Sequence, residues 1–221
     1  MSECIYNPLL DYMRRLVEID DAAAEFIAAK TKLVSVAKGS MLFNSKETAR
    51  HIYFIVSGKA RSYYTDYSGK TITWMFHYNS CTSNTKNLFL VDYKSFLTHT
   101  PGTMSIEALT DVTLIQFGHK FFEQAYVELP QFEQFMRMLN ESAFIVTYDR
   151  VYTLLTMNAT DRYLKVLSEE PHLIQLFSNY YLASYLGVAP QSLSRIRAGL
   201  NTVAEPGKCT SDLKTVSADG K

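Results

Sequence analysis

Six polar residues near one end of the chain have the types and spacing to read DNA: Tyr180, Gln191, Ser192, Ser194, Arg195 and Arg197. Gln191 and Arg195 stand four residues apart and so share one helix face. Gln pairs bidentately with the N6/N7 edge of adenine, Arg with O6/N7 of guanine, and Ser serves bases or phosphates. In this reading Gln191 and Arg195 select bases, while Tyr180, Ser192 and Arg197 hold phosphates.

The surrounding segment NYYLASYLGVAPQSLSRIRA (residues 179–198) carries what is needed to position them. Ala183 sits where two helices approach closely. Gly187, four residues on, can take the positive φ at which a first helix ends. Leu182, Leu186, Val188, Leu193 and Ile196 supply the apolar clamp between the helices of a helix-turn-helix. Pro190 opens the second helix, where its missing N–H has no intrahelical partner. An ordinary αα-hairpin with a polar outer face has the same short pattern, so context must decide between them.

That context is a change of period along the chain. Residues 1–30 read as helical, with Leu9, Leu10, Met13, Leu16, Val17, Phe26 and Ile27 at helical spacing. From Leu33, the turn signals Lys38-Gly39, Ser57-Gly58 and Ser68-Gly69 separate strand-like runs at 41–43, 51–56, 60–64 and 71–78, a pattern that predicts a sandwich or barrel. Residues 79–91 have no clear period. A short helix at 93–97, a turn at Thr100-Pro101-Gly102 and strands at 104–109 and 112–117 follow. Beyond Gly118 the period is helical again: a short helix at 119–127, then a long one over 130–157. The long helix has one stripe of Phe132, Phe135, Met136, Leu139, Ala143, Val146 and Leu154, and another of Phe144, Tyr148, Val151 and Leu155. A helix apolar on two sides must bury both; one side can pack on the β-rich part, and the other calls for a second chain. Leu139 and Val146 are the expected dimer contacts. Asn158 caps the next helix with Asp161 at N3, and Pro171 ends it. Residues 201–221 have little to bury and read as a flexible tail.

Composition narrows the possibilities. The 221 residues, 47% hydrophobic and 20% charged, describe a globular protein with one large or two modest domains. Net charge is zero, so attraction to phosphate must come from local asymmetry. Residues 178–200 hold two arginines and no acid, whereas residues 1–30 hold twice as many acids as bases. Cys4, Cys81 and Cys209 are far apart, which suggests neither a disulfide framework nor a metal site and points to a reducing, cytoplasmic compartment. The N-terminus lacks the order of a signal peptide, no apolar run reaches membrane-spanning length, and no membrane partner is expected. No Ser/His/Asp order, phosphate loop or acid pair suggests an enzyme, and Cys81 near His77 is a coincidence of proximity.

The order β-roll, long helix, helix-turn-helix resembles the Crp/Fnr superfamily of bacterial transcription regulators over roughly residues 5–200. The resemblance is carried by the Lys38-Gly39 turn, the run HIYFIVSGKAR (51–61), DYKSFL (92–97), IEAL (106–109), ATDRYL (159–164) and the SYLG…SLSRIR segment. It implies an α+β protein with an N-terminal cyclic-nucleotide-binding-like β-roll (1–128), a dimerisation helix (129–157), a helix-turn-helix domain (158–200) and the tail (201–221). The implied partners are double-stranded DNA, a second copy of the chain and a small-molecule effector. A sensor whose helix-turn-helix no longer binds DNA is the alternative that the zero net charge permits.

The family's phosphate cassette uses a Gly-Glu pair and, about ten residues later, an Arg-Ser/Thr pair. Aligning on the Ile106-Glu107-Ala108 strand puts these at Val91-Asp92 and Gly102-Thr103, the expected effector pocket. The acid survives in shortened form, and the arginine does not. A buried cyclic phosphate needs a charge-assisted partner, usually a bidentate Arg, and nothing aims Lys86 or Lys94 at that spot. The fold is therefore expected without cyclic AMP binding. Other family members sense through iron–sulfur clusters or haem. Cys4 alone cannot hold a cluster, and His51, His99, His119 and His172 read as surface or strand-end residues. His77, in the segment Trp74-Met75-Phe76-His77-Tyr78, is the only candidate axial ligand, although that segment reads better as barrel core. No cofactor is expected.

Overall fold

The computed structural model describes residues 3–204 of the chain, with side chains from 5 to 200. Strand-forming runs between the turns build two four-stranded antiparallel sheets. The strands are β1 (Lys32–Val36), β2 (Met41–Phe43), β3 (His51–Ser57), β4 (Lys59–Thr65), β5 (Thr71–Tyr78), β6 (Phe89–Leu90), β7 (Met104–Ala108) and β8 (Val112–Gly118). One sheet runs β1-β8-β3-β6 and the other β2-β7-β4-β5. Their inner faces meet over a core in which Phe54, Ile55, Leu90, Ile106, Leu114 and Ile115 are fully buried.

Helices close the roll at both ends. The expected N-terminal helical stretch is two helices, α1 (Glu3–Arg14) and α2 (Asp21–Lys30), separated where Asp20 caps the second by accepting from Ala23 N–H. The segment without a clear period holds α3 (Thr85–Leu88), set by a capping box between Asn84 and Asn87. Next come α4 (Tyr93–Thr98), α5 (His119–Glu128) and α6 (Phe132–Thr156). The C-terminal unit comprises α7 (Ala159–Glu169), α8 (Leu173–Leu176), α9 (Asn179–Tyr185) and α10 (Pro190–Ala204). Asn158 caps α7, as its position suggests, accepting from Thr160 and Asp161 N–H. The tail expected from residue 201 begins inside α10 and for the rest lies outside the described residues. Among the described residues no helix is long and apolar enough to cross a membrane.

Two stripes on α6 have different fates. Phe132, Phe135 and Met136 are buried in the roll core, and Leu139 packs against it. Phe144, Tyr148, Val151 and Leu155 are exposed, Leu155 at 80%. Leu139 and Val146, expected to meet a second chain, line a cavity beside the roll, as does Phe144. Both stripes are present, but the outward one is the second, because the i, i+3, i+4 rows through Phe132 and Phe135 continue through Leu139 and not through Phe144.

The C-terminal unit completes its core with residues of the roll. Phe76 and Tyr78, on the outer face of β5, join Tyr163, Val166, Leu173, Phe177, Leu182, Ala183, Tyr185, Leu186 and Leu193 in one buried cluster. Phe76 stacks on Phe177 at 3.9 Å between centroids. Polar bonds fix the register: Thr73 N–H donates to Ser184 Oγ at 2.9 Å, and that hydroxyl donates to the Thr71 carbonyl at 2.9 Å. From α6, Arg150 donates through Nη2 to the carbonyls of Thr73 and Tyr185 and lies over the Tyr185 ring. Arg150 is 7% exposed, and burial pulls its pKa below the usual arginine value. Replacing it strands two buried carbonyls and removes the tie among α6, β5 and α9. Arg150→Ala should cost about 2–3 kcal/mol, read as a lowered urea midpoint, and a midpoint unchanged from the parent would show that these bonds hold nothing.

Candidate functional site

The helix-turn-helix is built by a glycine-terminated helix. Gly187 has φ +71°, its N–H donates to the Ser184 carbonyl, and Val188 N–H donates to the Ala183 carbonyl. This is a Schellman ending, in which a left-handed residue turns the chain sharply out of α9. A Cβ at Gly187 would stand 2.9 Å from Arg162 Nη1, which itself donates to the Leu186 carbonyl at 2.7 Å. Ala183 is wholly buried, as the close helix crossing requires. Gln191, Ser194 and Arg195 are exposed on α10 and Ser192 is half-buried; Tyr180 is exposed on α9.

Arg197 is placed differently from its expected role as a phosphate contact. Its Nε donates to the Tyr163 hydroxyl at 3.0 Å and its Nη1 to Asn179 Oδ1 at 2.6 Å. It braces α10 against α7 and α9. The i, i+2 step from Arg195 to Arg197 turns the second arginine off the outer face.

The second site is a cavity of about 650 Å³ between the inner face of the roll and α6. Val91, Asp92 and Thr103 line it, together with Trp74, Met75, Phe89, Phe135, Met136 and Ala143. Leu139 and Val146 complete the wall on α6. Trp74 and Met75, which the sequence suggests are simple core, are wall residues because a bulge in β5 at Trp74 breaks the strand alternation. His77 lies within the same wall, its Nε2 3.1 Å from Ser62 Oγ, and burial pushes its pKa down to about 3. It is a neutral, protein-bonded histidine at neutral pH.

Asp92 explains why the phosphate cassette is changed. It is buried, and its carboxylate accepts from three backbone N–H groups: Ser95 at 3.1 Å, Thr103 at 3.0 Å and Met104 at 3.2 Å. The donors that face this point are occupied by the protein's own anion. Gly102 lies directly against it, and a Cβ there would stand 2.6 Å from Asp92 Oδ2 and 2.7 Å from the Phe43 ring. An arginine side chain has no room to start from this position. Lys86 is committed elsewhere, 2.6 Å from Glu170 in a largely buried pair, and Lys94 is exposed at the rim.

Residues 33–128 match the cyclic nucleotide-binding domain family. Most of the chain is similar in fold to several solved regulators. Against FixK2 from Bradyrhizobium japonicum it has 18% identity and a TM-score of 0.64, covering 78% of this chain and 85% of that one. Against the c-di-GMP responsive global regulator CLP of Xanthomonas campestris the values are 16% and 0.65, over 86% of this chain and 97% of that one. Against a transcriptional regulator assigned to the Crp/Fnr family from Eubacterium rectale they are 15% and 0.61, over 84% and 85%. A comparison with curated protein sequences finds no match. At these identities the likeness is one of fold: a cyclic nucleotide-binding domain, a long helix and a C-terminal helix-turn-helix in the Crp/Fnr arrangement.

Arginine was the sequence's missing element in the cassette, and the geometry shows that restoring it is not enough. Gly102→Arg should fail to confer cyclic AMP binding in calorimetry and should lower stability by about 1–3 kcal/mol through overpacking. Micromolar binding of cyclic AMP by this variant would show that Asp92 and Phe43 yield more readily than their packing implies.

Proposed function

We propose that the chain is a homodimeric Crp/Fnr-type transcription regulator that binds a palindromic DNA site and responds to an effector other than cyclic AMP. The observation that carries this reading is the disposition of the helix-turn-helix. Its inner residues are locked onto β5, while Gln191, Ser194 and Arg195 stand exposed together on α10. Gln191 and Arg195 are the base-reading pair, with Ser194 beside them, and Tyr180 and Ser192 are the phosphate contacts. Arg197 supports this surface from behind. Residues 1–128 serve as the effector domain, 129–157 as the dimer helix and 158–200 as the DNA-binding unit.

Selection from a random duplex library tests the DNA reading. The parent protein should enrich a palindrome whose half-sites lie one helical turn, about 34–36 Å, apart. Arg195→Ala should cost about 1–3 kcal/mol per half-site and relax the choice at one G·C pair, and Gln191→Ala should relax a neighbouring position. An unenriched library, with and without candidate effectors, would favour a sensor that has lost DNA binding.

The dimer reading rests on the exposed stripe of α6. Phe144, Tyr148, Val151 and Leu155 are separated by four, three and four residues, the spacing of a two-stranded coiled-coil seam. A second copy of the same helix covers such a seam with the same residues. Phe144→Asp combined with Tyr148→Asp should give a folded monomer in light scattering, because neither side chain contributes to the roll core. A double variant that remains dimeric would place the interface elsewhere.

A further inference from the structure

We propose that the cavity between the roll and α6 takes an uncharged, predominantly apolar small molecule. The proposal rests on the regulator reading for the purpose of such binding, and on the cavity alone for its chemistry. At about 650 Å³ the space falls within the usual range of small-molecule sites, about 300–1,000 Å³. The space opens to solvent on one side, and an occupant would gain dispersion contacts with its apolar walls.

The walls choose the occupant. Trp74, Met75, Phe89, Phe135, Met136 and Ala143 present rings, thioethers and methyl groups. The ionisable groups that border the space are spoken for: His77 is neutral, Asp92 is satisfied by three backbone donors, and Lys86 is paired with Glu170. Lys94 remains exposed to water at the rim. A phosphate or other anion moved into this space would lose its hydration without gaining a charge-assisted partner. It would also lie near the Asp92 carboxylate. A neutral apolar molecule meets neither cost.

Trp74 gives a direct readout, because it is the only tryptophan of the chain and lines the cavity. The neutral fluorophore N-phenyl-1-naphthylamine absorbs where tryptophan emits, so its entry should quench Trp74 saturably, with one probe per chain. Excess cyclic AMP should not displace it. Ala143→Phe, which fills the cavity from α6, should weaken the probe by at least about tenfold while circular dichroism stays that of the parent. Absence of Trp74 quenching, displacement by cyclic AMP, or unchanged affinity in a folded Ala143→Phe protein would each overturn the proposal. If that variant fails to fold, quenching and displacement in the parent protein still decide the matter. The DNA selection separates the two readings: quenching without an enriched palindrome leaves this ligand class standing and removes the regulator, and an enriched palindrome without quenching does the reverse.

Discussion

Strand β5 is packed on both faces, and the rest of the molecule is arranged around that fact. Its inner residues Trp74, Met75 and His77 form part of the cavity wall. Its outer residues Thr73, Phe76 and Tyr78 carry the C-terminal unit. A two-residue period makes this division automatic once the bulge at Trp74 sets the phase. The flanking elements reinforce it. Arg61 on β4 pairs with Glu107 and lies between the rings of Tyr63 and Tyr181, and Lys59 donates to the Leu176 carbonyl. The helix-turn-helix unit is therefore not an independent globule on a linker. Its core is incomplete without Phe76 and Tyr78.

The altered phosphate cassette follows from one carboxylate. A buried acid is tolerated only when its oxygens are bonded, and the three backbone donors around Asp92 satisfy that condition. The same donors are then withdrawn from any external anion. Gly102 is the steric counterpart of this arrangement, since the absence of a Cβ is what lets Asp92 and Phe43 approach. Loss of the arginine and retention of the acid are thus one change seen from two sides. The pocket that remains is lined mainly by apolar groups, with Asp92 and Lys86 bonded within the protein and Lys94 exposed at the rim.

Much of this was legible in the sequence, and what was not has identifiable causes. The strands and long helices could be read because their periods are clean and their ends carry Gly, Pro, Asn or Asp. The Gly187 ending and the Asn158 cap are local, so sequence suffices for them. The segment 79–91 was illegible because α3 is a single turn held by Asn84 and Asn87, too short to show a period. The inward side of α6, with Leu139 and Val146 on it, is not legible because both stripes of the helix are apolar and only the roll decides which faces inward. Arg61, Arg150 and Arg197 were misread or overlooked for a common reason. Such an arginine is recognised by the carbonyls, rings and acids that surround it in space, and most of those, such as Glu107 for Arg61, Tyr185 for Arg150 and Tyr163 for Arg197, are far from it in sequence.

The strength of the docking limits how a signal can cross β5. Releasing the C-terminal unit would break the Arg150 bond to the Tyr185 carbonyl and the Lys86–Glu170 pair and would expose the Phe76–Phe177 stack. Charge-assisted bonds alone contribute about 1.5–3 kcal/mol each, before the apolar surface is counted. A ligand moves an equilibrium only by its difference in affinity for the two states, and carrying one from 1:99 to 99:1 takes about 5.5 kcal/mol. On the proposed reading, a ligand that shifts Trp74 and the facing residues of α6 would tilt β5 with the docked unit still attached. In a dimer joined along α6, such a tilt changes the separation of the two α10 helices, the quantity on which binding to a palindrome depends. On the proposed regulator reading, an effector would change the spacing of two α10 surfaces while each stays docked and keeps its own fold.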